Sequence, residues 1–285
     1  MKQLLANALI AASIYALTGV GFALIYRATR FFHFAHASVI SLSAYLAYFS
    51  SAILHLPLAL VALTAIAGGT ILGCTIDVAV YRPLRHRQAS PSVLLLASLG
   101  AYIVIQNILS IIFGDDFKSV PMGRVREGWL VMGARITPVQ FIIAGVALLS
   151  VFGVGFFLAK FRSGKELRAA ANDQMLATVA GVSVDRTALL AFVVGSALGS
   201  CAGVLLAVDV GVTPNMGLNS LLMGVVAVVV GGTKHISGIL IGCLLVAGTQ
   251  QLAAWHLGSE WQDCAAFALL VAFLVIRQRE GLRMQ

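Results

Sequence analysis

Asp, Glu, Lys and Arg are absent from seven long stretches of this chain: 3–26, 31–76, 88–114, 136–159, 187–208, 210–233 and 235–259. Apolar residues run continuously through them, without the two-residue alternation of barrel strands. A helix needs about 20 apolar residues to cross a hydrocarbon core of about 30 Å, and a charge at its centre costs about 2.5–3.5 kcal/mol. The pattern predicts helical segments at 4–26, 32–50, 57–79, 92–113, 138–159, 187–208, 219–232, 238–256 and 262–277. The expected fold is all-α, a polytopic transmembrane helical bundle of eight or nine membrane segments. Segment 219–232 is short enough for a half-helix or a re-entrant piece. The apolar run after Met1 and Lys2 exceeds the 7–15 residues of a signal peptide's core, so it reads as the first membrane helix.

Composition sharpens this reading. Only 11% of residues are charged and 60% are hydrophobic, against about a quarter charged in soluble domains. Residues 1–285 then form a single transmembrane domain, and any soluble activity must come from partners. The net charge of +8 marks loop sidedness in lipid rather than nucleic-acid affinity, because basic residues collect at cytoplasmic helix ends. Nine segments with an external N-terminus put 14 Lys/Arg on one side: Arg27, Arg30, Arg82, Arg85, Arg87, Lys160, Arg162, Lys165, Arg168, Arg186, Lys234, Arg277, Arg279 and Arg283. The other side holds five, namely Lys2, Lys118, Arg124, Arg126 and Arg135. Cys74, Cys201, Cys243 and Cys264 all fall in apolar segments without a paired spacing, which suits packing rather than a disulfide or metal framework.

The polar island 160–186 interrupts this regime. Ser163 followed by Glu166 reads as a capping box, strong helix formers follow, and Gly181 suits a left-handed helix end. A helix of about four turns is expected outside the membrane, with Leu167, Ala170, Ala171, Met175 and Val179 on one face. It is either a connector lying on the membrane surface or a docking helix for a soluble partner. Two other apolar blocks are broken, at 26–33 and at 231–238. Such breaks are tolerated against protein or water and mark the pathway in some transporters; ordinary tight turns would look the same. His33 and His36 would share a helix face, and no further metal ligands lie nearby. Gly195, Gly199 and Gly203 form a stripe for close helix packing.

Other chemistry is absent. There is no phosphate-binding loop of the G-x-x-x-x-G-K-[ST] type, no catalytic constellation, no cofactor motif and no metal site. Asp77, Asp209 and Asp263 lie near helix ends. Asn107, Gln106, Gln250 and Gln251 are the deepest strongly polar side chains and suit helix–helix hydrogen bonds or a pathway.

These landmarks resemble the permease of bacterial ABC importers for branched-chain amino acids, the LivH-type family. The resemblance runs over nearly the whole chain: NALIAASIYALTGVGFALIY then HFAHAS, VAVYRPLRHR at 78–87, LASLGAYIVIQNILSIIFG at 96–114, GKELRAAANDQMLATVAGVSVDR, and AVVVGGTKHISGILIG. It implies a multi-pass protein of the bacterial inner membrane, bathed in lipid. Its partners would be a second homologous permease, two ATP-binding cassette subunits and a periplasmic substrate-binding protein. The island becomes a cytoplasmic coupling helix carrying Gly164, Lys165, Glu166, Arg168, Ala169, Ala170, Ala171, Asp173 and Gly181. Residues Arg27, His33, His36, Asn107, Gly231, Gly232, Lys234 and Gly238 become candidates for the pathway. The chain departs from the family's pattern at Arg27, His33, Ala37, Lys234, His235 and Ser237, which bears on cargo. Urea, short amides and other amino acids are alternatives to leucine, isoleucine and valine; a secondary transporter or channel is the alternative of another class.

Overall fold

A computed structural model describes residues 1–120, 128–131, 133–233 and 235–283. The chain order is α1 (Lys2–Thr29), α2 (His36–Tyr48), α3 (Leu58–Ile76), α4 (Arg82–His86), α5 (Pro91–Phe113), β1 (Trp129–Val131), β2 (Ala134–Ile136), α6 (Pro138–Lys160), α7 (Arg162–Asn172), α8 (Gln174–Val179), α9 (Val184–Asp209), α10 (Met216–Gly231), α11 (Ile236–His256) and α12 (Gln262–Arg283). Among the described residues, seven helical stretches are long and apolar enough to cross a membrane: Lys2–Thr29, Leu58–His86, Pro91–Phe113, Pro138–Lys160, Val184–Asp209, Ile236–His256 and Ser259–Arg277. Two apolar helices are shorter. α10 has 16 residues, which rise about 24 Å, and α2 has 13 before a π-helical turn at Phe49–Ile53.

The all-α bundle read from the sequence is therefore present, with local differences. The second segment begins at His36 rather than 32, because Arg30 caps α1 in the left-handed conformation (φ 61°) and a non-helical connector follows. The third runs on from α3 through a π-helical turn at Asp77–Tyr81 into α4, so Asp77 lies within a continuous helix instead of at its end. The loop after α5 contains a two-stranded antiparallel hairpin, with Trp129 opposite Ile136.

α1 and α9 form the centre, touching each other and most other long helices. Small residues on two faces of α9 make this possible. On one face a Cβ at Gly195 would stand 2.7 Å from the Gly21 carbonyl oxygen of α1, and one at Gly203 would collide with the Ile40 carbonyl of α2. On the other, Ser196 and Ser200 sit against Gly73 and Gly69 of α3. Without a hydrophobic drive between helices in lipid, this close backbone approach supplies the packing energy. The outer helices show the reverse: only 17% of the best apolar window of α5 is buried, and 6% of that over Ser259–Arg277. Their exposed Leu, Ile, Val and Phe would aggregate in water and instead suit lipid or another membrane chain.

The loops divide into two ends. Arg30 donates to the Ala171 carbonyl at 2.5 Å, and Asp185, at the start of α9, contacts Arg82 (3.4 Å) and His86 (3.0 Å). These contacts gather the 27–30, 82–87 and 160–186 loops at one basic end. At the opposite end Gln3 accepts from the Arg135 N–H (2.8 Å), and Lys118 bridges to Val212. The grouping expected from charge alone holds for these residues. Arg124 and Arg126 lie outside the described residues.

Candidate functional site

At the basic end the two broken segments share one cleft of about 580 Å³, lined by Tyr26 and Phe32 from the first and by Gly231, Gly232, His235 and Gly238 from the second. Both breaks are connections between successive helices. The second works because Gly232 takes φ 83°, a left-handed conformation free of strain only for glycine. Gly231 and Gly238 then let α10 and α11 meet backbone to backbone. A neighbouring groove of about 600 Å³ is lined by Arg27, His235 and one face of α7: Lys165, Arg168, Ala169 and Asn172. Lys234 lies outside the described residues.

The polar island differs in detail from expectation. α7 starts at Arg162 with Phe161 as its N-cap, and no side chain caps it. The capping box expected at Ser163 and Glu166 does not form, because the helix begins two residues earlier and Glu166 pairs instead with Arg162 (3.0 Å). The expected four-turn helix is two helices. Asp173 leaves the helical conformation (φ −145°) and its carboxylate accepts from the Leu176 N–H at 2.9 Å, restarting the chain as α8. This break divides the expected apolar face. Leu167, Ala170 and Ala171 are buried, whereas Met175 and Val179 are 80% and 82% exposed. Gly164 lies tight against the Phe157 carbonyl, and Gly181 ends α8 at φ 83°. Lys165, Arg168, Ala169, Asp173, Met175 and Val179 thus form an outward surface.

His33 and His36 do not share a helix face, because His33 belongs to the connector before α2. Both are fully buried, 5.7 Å apart between ring centroids. His33 Nδ1 lies 3.0 Å from the Tyr81 hydroxyl. Gly199 faces the His36 ring, which fills the space a side chain would need. Among the described residues no group of three His, Cys, Asp or Glu gathers as a metal site. Asn107 projects from the exposed side of α5, bonded to its own Ile103 carbonyl (2.7 Å). Its neighbour Gln106 turns inward to the Pro214 carbonyl.

The opposite end holds a cavity of about 550 Å³ where α1, α6, α9, α10, α11 and α12 converge. Its polar lining includes Asp209, Asp263, Asn219, Ser220, Gln140 and Gln251, and Ile10, Ile14, Leu206 and Met223 form apolar wall. Tyr15 donates to Gln250 Oε1 (2.7 Å), and Gln250 donates to Asp263 Oδ1 (3.3 Å). The Gln140 side chain closes a true capping box with Thr137 at the start of α6.

The sequence matches, over residues 4–274, a family model described as branched-chain amino acid transport system / permease component. The chain belongs to this permease family. LivH of Escherichia coli (strain K12), named a high-affinity branched-chain amino acid transport system permease protein, is 30% identical over 289 residues, 96% of this chain and 92% of LivH. BraD of Pseudomonas aeruginosa carries the same description and is 30% identical over 290 residues, 96% of this chain and 93% of BraD. The solved structure "PsaBC from Streptococcus pneumoniae in complex with Fab" aligns with 94% of this chain and 89% of that one (TM-score 0.53). At 14% identity that likeness speaks to fold alone.

In this permease the cavity residues Asp209, Ser220 and Asp263 were not singled out by sequence reasoning as a site. A signal existed, since Asp209 and Asp263 border charge-free stretches at helix ends that the sidedness argument places together. What sequence lacked was the joint position of α9, α10 and α12.

Proposed function

We propose that this permease is the membrane subunit of an ABC importer that carries leucine, isoleucine and valine across the bacterial inner membrane. The family match across residues 4–274 carries the reading, and the descriptions of LivH and BraD support its cargo. The basic end faces the cytoplasm, following the positive-inside rule. A second homologous permease completes the membrane unit, two ATP-binding cassette subunits dock on the outward surface of α7 and α8, and a periplasmic binding protein delivers cargo to the opposite end.

The physical case for α7 as the coupling element rests on its anchoring. Leu167, Ala170 and Ala171 seat it against the bundle, Gly164 brings it against the end of α6, and Arg30 ties its last turn to α1. A push on its outer face is then transmitted to α1 rather than absorbed by a loose loop. ATP hydrolysis belongs to the partner subunits, and the permease contributes shape and charge.

Uptake of labelled leucine by cells with and without the gene tests the reading. Gene-dependent uptake, blocked by excess isoleucine and not by urea, is the expected result. Uptake indifferent to the gene would remove leucine as the cargo.

A further inference from the structure

Asp209 and Asp263 line the same cavity, and neither has a cationic partner among the described residues. Both therefore offer negative charge to one space that has apolar wall. Their neighbours are arranged around them. Gln140 Oε1 is committed to the Thr137 N–H (3.0 Å), which leaves its amide hydrogens for Asp209. The Tyr15–Gln250 pair fixes Asp263 through Oδ1, leaving its second oxygen free. Independently, Ser220, only 6% exposed, is among the residues around this cavity, and its hydroxyl has no hydrogen-bond partner. A buried hydroxyl without a partner beside a cavity can accept from a bound donor.

We infer that this cavity binds a primary ammonium group carried on a short apolar body, with Asp209 and Asp263 as counter-charges and Ser220 as neutral acceptor. An ammonium has three donors and no acceptor, which matches an acceptor-rich lining. A bare metal ion would want several oxygens in one tight shell, whereas Ile14, Leu206 and Met223 interrupt this one. The volume of about 550 Å³ lies within the range of small-molecule sites. The inference deepens the permease reading and rests on it for the side on which the cavity opens; the site gives the permease its own preference for an amine-bearing cargo.

Calorimetric titration of the full chain in lipid nanodiscs tests it, with leucine, 3-methylbutylamine (leucine's skeleton without the carboxylate) and 4-methylpentanoate (the skeleton without the amine). Leucine and the amine bind, and the acid does not. Asp209→Asn and Asp263→Asn each weaken amine binding about tenfold or more. Ser220→Ala removes only an unpartnered hydroxyl, leaves folding intact and weakens amine binding a few-fold. Acid bound as tightly as amine, amine binding unchanged in all three variants, or no binding of the amine would overturn the site. Gene-dependent leucine uptake without amine binding rejects the site and keeps the transport reading. Amine binding without such uptake keeps the site and rejects the cargo.

Discussion

Arg85 Nη1 lies 2.6 Å from Asp77 Oδ1, with the two side chains 14% and 1% exposed. Asp77 sits in the π-helical turn that joins α3 to α4, and Arg85 also reaches Asp185 at 3.7 Å. One buried guanidinium therefore links α3, α4 and the start of α9. Removing one partner of such a pair strands a charge, which costs about 3–5 kcal/mol. Asp77→Ala should lower the melting temperature in detergent sharply, and Asp77→Ala with Arg85→Met should recover much of the loss. A double variant no more stable than the single one would show that the pair is not the cause.

Gly199 of α9 faces the His36 ring, which a Cβ would approach to 2.7 Å. Gly199→Leu should destabilise the bundle by more than 2 kcal/mol, as overpacking at a close crossing does (about 1–3 kcal/mol, occasionally more). Gly248 of α11 is the control, since nothing lies within 4 Å of a Cβ built there. Gly248→Ala should hold or raise stability by about 0.5–1 kcal/mol. Equal melting temperatures for the two variants would refute the packing argument.

Glu166 and Arg168 sit in α7 on the surface assigned to ATPase docking. Reversing both charges should cut ATP-driven uptake several-fold while membrane abundance stays normal. Uptake at the wild-type level in the double reversal would remove these side chains from the coupling contact.

Asp173 holds the first turn of α8 by accepting from the Leu176 N–H. Loss of an N-cap costs about 1 kcal/mol. Asp173→Ala should speed amide hydrogen exchange at residues 174–179 about fivefold while α7 exchanges as before. Asp173→Asn, which keeps an acceptor, should stay close to wild type.

The membrane-spanning plan was legible because lipid imposes one rule on every residue, and charge-free stretches record it directly. The missed details turn on side chains competing for backbone groups. At Asp173 the carboxylate takes the Leu176 N–H and caps a new helix in place of continuing the old one. His33 was assigned to a helix because spacing alone cannot show that Arg30 ends the preceding helix in a left-handed conformation. The outer cavity is built from helices far apart in the chain, with Tyr15, Gln140, Asp209, Ser220 and Asp263 on five of them. Each of them is unremarkable in its own segment.

The position of α1 at the centre has a consequence for biosynthesis. It is made before the helices it packs against, yet 78% of its apolar window is buried, much of it against α9, α10 and α11. Its hydropathy admits it to lipid at once, but its neighbours α9, α10 and α11 emerge only after residue 183. Until then α1 sits in the bilayer with Asn7, Thr18 and the bare backbone at Gly19 and Gly21 facing acyl chains. Newborn chains truncated before α11 should consequently be the preferred prey of membrane quality-control proteases, so the segment from α9 onward decides whether α1 survives.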